Sequence, residues 1–280
     1  MAALATEAVL EVIIDADRPA SLRARLAEYR GQSTLLKYLI ARNWKLRYRN
    51  TAMSVVWALA QPMLPALMLG FLFSSTLAPQ QVSVPYVLFL LAGLVPWSFL
   101  TLAVTSGSGA FIVNAGILTK VYFPRAILPA AAVLALAVEF AGGCLVLLTW
   151  VIAAGLPIRL EWLALPGLFV ATGVLAFAVS LGLGALNVLY RDVRHAVPFL
   201  LQVWLYATPV LYDSTLIPER WHWVLALNPM TGVVMGFRSA LFGFPLDWPI
   251  TLISIGSAGL TVLAGIVTFL KLDSALAERA

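Results

Sequence analysis

The sequence predicts an all-α membrane protein: six transmembrane helices, an N-terminal amphipathic interface helix, and two short re-entrant external helices before the last span. Three observations carry this prediction. Hydrophobic residues make up 61% of the chain and charged residues only 11%, far more apolar than a water-soluble domain. The apolar residues are gathered into runs of about 20, the length that crosses a bilayer. The charges collect between the runs, most plainly at Tyr190-Arg191-Asp192-Val193-Arg194-His195, which reads as a tight turn on one membrane face with a span falling away on either side.

Residues 1–33 read as a polar tail holding five acids and four arginines, with one short β-like run at 9–14. They never form the apolar core of a cleavable signal. Residues 34–51 differ. On a helix at ~100° per residue, Leu35, Leu36, Leu39, Ile40, Trp44 and Leu46 share one half of the surface and Lys37, Arg42, Lys45 and Arg49 the other. Arg47 is the exception to that division. Such a helix is expected in the headgroup plane.

A transmembrane domain follows over 52–271. Its first span, 54–75, contains Gln61 between Trp57 and the pair Pro62 and Pro65; prolines that free backbone carbonyls beside a glutamine suggest a polar route or a packed neighbour. The second span is 86–106. The linker 107–125 holds one stretch, 111–121, too short to cross, which reads as a small surface helix. The third span, 126–154, carries Glu139 near its middle, and an acid at that depth must be paired, protonated or facing polar space. The fourth, 162–189, has small residues (Ala176, Ala178, Ser180, Gly182, Gly184, Ala185) spaced for close helix contact. After the charged turn comes a short fifth span. Residues 221–227 and 230–242 are apolar but individually too short, and Asn228-Pro229 parts them, so they read as two helices dipping into one leaflet over a cavity or its exit. A last span, 248–270, leads to the polar tail 272–280.

Orientation follows from the basic residues. Placing both tails and the loops after the second and fourth spans on one side leaves only Arg159, Arg220 and Arg238 on the other, so both termini are expected in the cytoplasm. No phosphate-cradling Gly-x-x-x-x-Gly-Lys loop occurs in the sequence. His195 and His222 have no second ligand at metal spacing, and no nucleophile-base or paired-carboxylate arrangement stands out, so the chain is not expected to be an enzyme or to hold a metal. The single cysteine, Cys144, reads as inert packing.

The run Leu39-Ile40-Ala41-Arg42-Asn43-Trp44-Lys45-Leu46-Arg47-Tyr48-Arg49-Asn50-Thr51 leads into Val56-Trp57-Ala58-Leu59-Ala60-Gln61-Pro62. Together with Phe123-Pro124-Arg125-Ala126-Ile127-Leu128-Pro129, Tyr190-Arg191-Asp192-Val193-Arg194, Pro209-Val210-Leu211-Tyr212 and Leu227-Asn228-Pro229-Met230, it resembles the permease subunit of type-2 ABC exporters for polysaccharide or polyol phosphate. The likeness extends from about residue 20 over nearly the whole chain. Two positions depart from it. Met235 stands where an acid is expected and Asn43 where an aspartate is usual, which bears on local contacts of the gate and the interface helix.

The resemblance implies a homodimer paired with two copies of a separate nucleotide-binding ATPase, which would carry the ATP and Mg, so that this chain binds no cofactor itself. It implies export of a lipid-linked glycan (O-antigen, capsule or teichoic acid) across the cytoplasmic membrane of a bacterium, among membrane lipids and without nucleic acid. The surface helix and its flank, with Asn114, Leu118, Lys120 and Tyr122, would couple to the ATPase. Arg47, Arg49 and Arg125 would meet the lipid phosphate, and Trp221, Asn228, Pro229 and Arg238 would form an external gate. Sugars slide over aromatic rings by stacking weakly at many places. Trp57, Phe71, Trp97, Phe99, Trp204, Tyr206 and Tyr212, on the first, second and fifth spans, are the candidates to line the conduit. Three readings compete: a type-2 exporter of a small molecule, lipid or lipo-oligosaccharide; a proton-coupled transporter, in which Glu139 would have to titrate; and a membrane transferase, which needs a cytoplasmic acid cluster.

Overall fold

The computed structural model describes residues 32–48, 54–77, 84–118 and 123–279. Every regular element among them is helical. The tail with its 9–14 run, and the candidates Arg49, Lys120 and Tyr122, lie outside the described residues, as does the side chain of Trp57.

The bundle is built around α3 (Tyr86–Ser108), which is apolar over most of its circumference and is the most deeply buried of the helices long enough to span. It is flanked by α2 (Ser54–Leu77), α6 (Ile127–Ala153), α7 (Leu165–Leu189) and α10 (Pro229–Phe242). The small residues of α7 face two neighbours. Toward α3, the Ser180 hydroxyl lies within hydrogen-bond reach of the Ala103 carbonyl at 3.1 Å and of its own helix's Ala176 carbonyl at 2.6 Å. Toward α11 (Trp248–Arg279), Gly182 meets Gly265 so closely that a Cβ at 265 would fall 2.1 Å from the Ala178 carbonyl oxygen. Small residues thus let the backbones touch, as the spacing predicts.

By length and composition four helices can cross a membrane: Tyr86–Ser108, Ile127–Ala153, Leu160–Leu189 and Trp248–Asp273. The segments Glu219–Ala226 and Pro229–Phe242 pass the same test only as a pair, bent by 102°, which makes five at most among the described residues. The sequence predicts six, and the shortfall lies in α2 and α8 (Val193–Ala207). The described apolar part of α2 is Ala60–Ser74. α8 has 15 residues, roughly 22 Å of helix against a hydrocarbon core of about 30 Å. It stops because Thr208, pressed against Pro209, takes up an extended backbone.

Three further expectations change. The piece expected at 111–121, as far as residue 118, is not one continuous surface helix: α4 (Ala110–Val113) and α5 (Ala115–Leu118) are broken at Asn114, and Phe111 is buried in a stack on Phe269. The Asn114 amide donates to the Ala110 carbonyl at 2.7 Å and so competes with the backbone ladder. Second, α1 (Ser33–Tyr48), expected in the headgroup plane, packs on the bundle. Leu39 is buried in a cluster with Ile127, Leu128 and Ala131, Arg42 donates to Asn114, and Arg47 reaches Glu139 well along α6, so α1 follows α6. Third, the polar stretch after 271 continues α11 as helix through Arg279, in keeping with its good helix formers and with Arg125 bonded to the Asp273 carboxylate at 3.1 Å.

Candidate functional site

A groove of about 460 Å³ opens between α2, α3 and the end of α8. Gln61 and Pro65 of α2 form one wall, Trp97, Ser98 and Thr101 of α3 its floor, and Tyr206 and Leu211 the other wall. The spacing explains the floor, because residues at i, i+1 and i+4 of a helix share one face. Gln61, beside the prolines, is exposed into this space. The Thr101 hydroxyl is buried there without a partner among the described residues. Sequence reasoning missed Ser98 and Thr101; their signal was a pair of hydroxyls on the same face as Trp97.

The aromatic candidates separate into two groups. Trp97 is buried edge-on against Trp204, with ring centres 5.6 Å apart at 88°, and Tyr206 and Tyr212 are linked by a 3.4 Å bond from the Tyr212 hydroxyl to the Tyr206 carbonyl. These four gather around the groove and its end. Phe99 turns away from the groove into a core stack, 4.5 Å from Phe140, which in turn lies 4.4 Å from Phe169. Phe71 is 86% exposed on the outside of α2.

The non-helical turn that closes α8 is held by side chains from elsewhere in the bundle. Arg238 is buried in α10 and lies 3.5 Å above the Phe89 ring. It donates to the carbonyls of Pro209 and Val210, both at 2.7 Å, and of Tyr212 at 3.3 Å. The Tyr86 hydroxyl donates to the Leu211 carbonyl at 2.6 Å, Val210 N–H to that of Thr208, and the Asn228 amide to that of Ala207 at 3.2 Å. Every carbonyl from 207 to 212 is therefore occupied, as irregular backbone at membrane depth requires. Asn228 is the second node. Its oxygen accepts from the Trp204 indole at 2.9 Å and from Met230 N–H at 3.0 Å, capping α10 with Pro229 in its first turn, while its amide also donates to Thr208 at 2.8 Å. Trp221 lies apart, half exposed and stacked on Trp223.

The candidate phosphate ligands are engaged within the chain. Arg47 Nε is 2.6 Å from Glu139 Oε1 and its Nη2 donates to Oε2 at 3.3 Å. Arg125 is tied to Asp273. Burial, and then the Glu139 carboxylate beside it, push the Tyr48 hydroxyl well above its ordinary range. On the side of the bundle where α4, α5 and the charged turn meet, a second cavity of about 500 Å³ is lined by Phe111, Ile112, Asn187, Arg191, Arg194 and His195. Of the coupling candidates, Asn114 is buried under Arg42 and Leu118 is half-buried. No group of residues able to hold a metal ion occurs among the described residues.

A buried-helix bundle with a partly polar, ring-lined groove is the form of a membrane transport subunit. Residues 34–242 match the family described as ABC-2 type transporter, and the chain belongs to that family. It is thus the membrane subunit of an ATP-driven transporter, one that works with an ATPase. Among its relatives is an O-antigen export system permease protein RfbA of Klebsiella pneumoniae, 28% identical over 246 residues, 87% of this chain and 94% of that one. A protein of the same name from Myxococcus xanthus is 29% identical over 240 residues, 85% of this chain and 90% of that one.

Proposed function

We propose that the chain exports a lipid-linked polysaccharide, of the O-antigen, capsule or teichoic acid type, outward across the bacterial cytoplasmic membrane. The observation that carries this reading is the groove: the exposed Tyr206 ring, able to stack on a sugar face, stands beside Gln61, Ser98 and Thr101, which offer hydrogen bonds to hydroxyls, and the buried Trp97 forms part of the floor. The naming of relatives as O-antigen export permeases supports it. Exposed apolar rows flank the groove, Leu64, Met68 and Phe71 on α2 and Phe199, Val203 and Tyr206 on α8. A second copy of the chain covers these rows and closes the two grooves into one conduit, with one ATPase beneath each copy. α2 and the shorter α8 then serve as first and fifth spans of six, α9 (His222–Ala226) and α10 dip in from the outside, and both termini lie in the cytoplasm, where the basic residues gather. Arg47 and Arg125 lie on the side where the lipid phosphate is admitted. The pairing of Glu139 with Arg47 favours a structural acid over a proton relay.

Deleting the gene should remove the glycan from the cell surface and leave its lipid-linked form inside. Restoring the chain with its ATPase should reverse both changes. Replacing Tyr206 by Ala should lower export about fivefold or more, since a ring stack is worth roughly 1–3 kcal/mol. Surface glycan unchanged by the deletion overturns the reading.

A further inference from the structure

A guanidinium offered to a lipid phosphate also meets the phosphates of the bilayer itself, which outnumber any exported substrate. Arg47 is in that position, and its guanidinium is occupied by Glu139 through Nε and Nη2. The two partners differ in access. The Arg47 side chain is 35% exposed, whereas Glu139 is 9% exposed within α6. An anion can therefore approach from the arginine side, while the carboxylate has only the Tyr48 hydroxyl to turn to. Glu139 also borders a small cavity whose wall includes Ser98 and Leu102, and these two residues line the groove between α2, α3 and α8 as well. Ser98 and Leu102 thus stand between Glu139 and the groove.

We propose that Glu139 is a specificity-determining residue: a resident carboxylate that withholds Arg47 from the singly charged phosphodiesters of the membrane and yields it to a lipid diphosphate. This rests on the reading of Arg47 as the residue that meets the substrate's lipid phosphate. A phosphodiester brings one negative charge, no more than the carboxylate it must displace, and the carboxylate has the advantage of being tethered in place. Displacing it also strands an acid in apolar surroundings. A diphosphate carries at least twice the charge and presents oxygens for bidentate pairing, so it alone outcompetes a tethered carboxylate. Glu139 thereby acts through a repulsive element against the wrong ligand, not only an attractive one for the right ligand.

The test uses the purified full-length chain in lipid nanodiscs, with fluorescent farnesyl diphosphate as probe. In wild type, replacing a third of the phosphatidylcholine by phosphatidylglycerol should change probe affinity by less than about twofold; in Glu139→Gln the probe should bind about fivefold more tightly in pure phosphatidylcholine and lose about tenfold on the same replacement. Glu139→Asp, which keeps the charge, should resemble wild type. Competition by phosphatidylglycerol in wild type overturns the proposal without recourse to any variant. Equal resistance in wild type and Glu139→Gln overturns it as well and leaves the role of Arg47 standing. Probe affinity unaffected by Arg47→Ala removes the reading of Arg47 and the proposal together.

Discussion

Two arginines lie against the bundle in different ways. Arg238 is fully enclosed and meets the carbonyls of a turn, with no carboxylate in contact; Arg47 is a third open and meets one carboxylate. Carbonyl acceptors have no charge to be competed for and no other partner within the bundle, so a guanidinium that satisfies several of them is a permanent fastening. A carboxylate beside an open guanidinium can be exchanged for a stronger anion. The turn after α8 is therefore built to stay, whereas under the proposal above the pair of Arg47 and Glu139 is open to exchange while Leu39 keeps α1 packed on α6.

The largest expected effect is at the first of these. Arg238→Ala removes a guanidinium that serves the Pro209, Val210 and Tyr212 carbonyls and leaves all three without a donor. At about 1–3 kcal/mol for each unpaired buried group, the loss is a large part of a typical domain's stability. The variant should fail to accumulate or should unfold well below wild type in a detergent melting assay. Arg238→Lys should recover only part of this, because an ammonium cannot reproduce the planar fork. A melting temperature for Arg238→Ala within a few degrees of wild type would show that the turn does not depend on it.

Asn228 gives a smaller effect of the same kind. Its replacement by Ala removes the α10 cap, typically about 1 kcal/mol, and leaves the Trp204 indole and the Thr208 hydroxyl short of a partner. The melting temperature should fall by less than for Arg238→Ala. Tryptophan fluorescence should also shift as the Trp204 environment loosens. An unchanged emission spectrum would mean that the indole is held by its packing on Trp97 alone.

The two regions also differed in how far they could be read from the sequence. Asn228 and Pro229 were legible as a helix break because their function is local: an Asn followed by Pro punctuates a helix without any knowledge of the rest of the chain. The part of Arg238 was not, since the carbonyls it serves lie 26 to 29 residues away and an irregular turn has no periodic signature. Arg47 and Glu139 were each legible as misplaced, a base off the polar side of its helix and an acid within a span. What joins them is a separation of 92 positions, which only the packing of α1 along α6 resolves. The break at Asn114 was missed for the same reason, because Arg42 bonds it from α1. Helix lengths were legible where apolar runs were long, as in α3 and α6. Helix continuity was overestimated at 114, where buried Phe111 and the Asn114 side chain decide the geometry.

The smallest expected effect on stability is at the ion pair, and it is the sharpest test of the contrast. If the contact between Arg47 and Glu139 is exchangeable, breaking it must cost the fold little. Glu139→Gln keeps the shape of the side chain and removes its charge, and the freed guanidinium, already 35% exposed, can turn toward water and lipid phosphate. With Glu139 only 9% exposed the pair is not a surface one, so the coupling between Arg47→Gln and Glu139→Gln should reside in the single Arg47→Gln variant, which strands the acid, and stay below the loss at Arg238. The reverse order of removal should be harsher. Arg47→Gln leaves the 9%-exposed carboxylate in apolar surroundings with only the Tyr48 hydroxyl nearby, and it should destabilise more than Glu139→Gln does. That asymmetry is what an exchangeable latch requires, because the acid depends on the base more than the base depends on the acid. The measurement is the full cycle of melting temperatures in one lipid composition. Equal losses from the two single variants, or a coupling as large as the loss at Arg238, would make the contact a second permanent fastening.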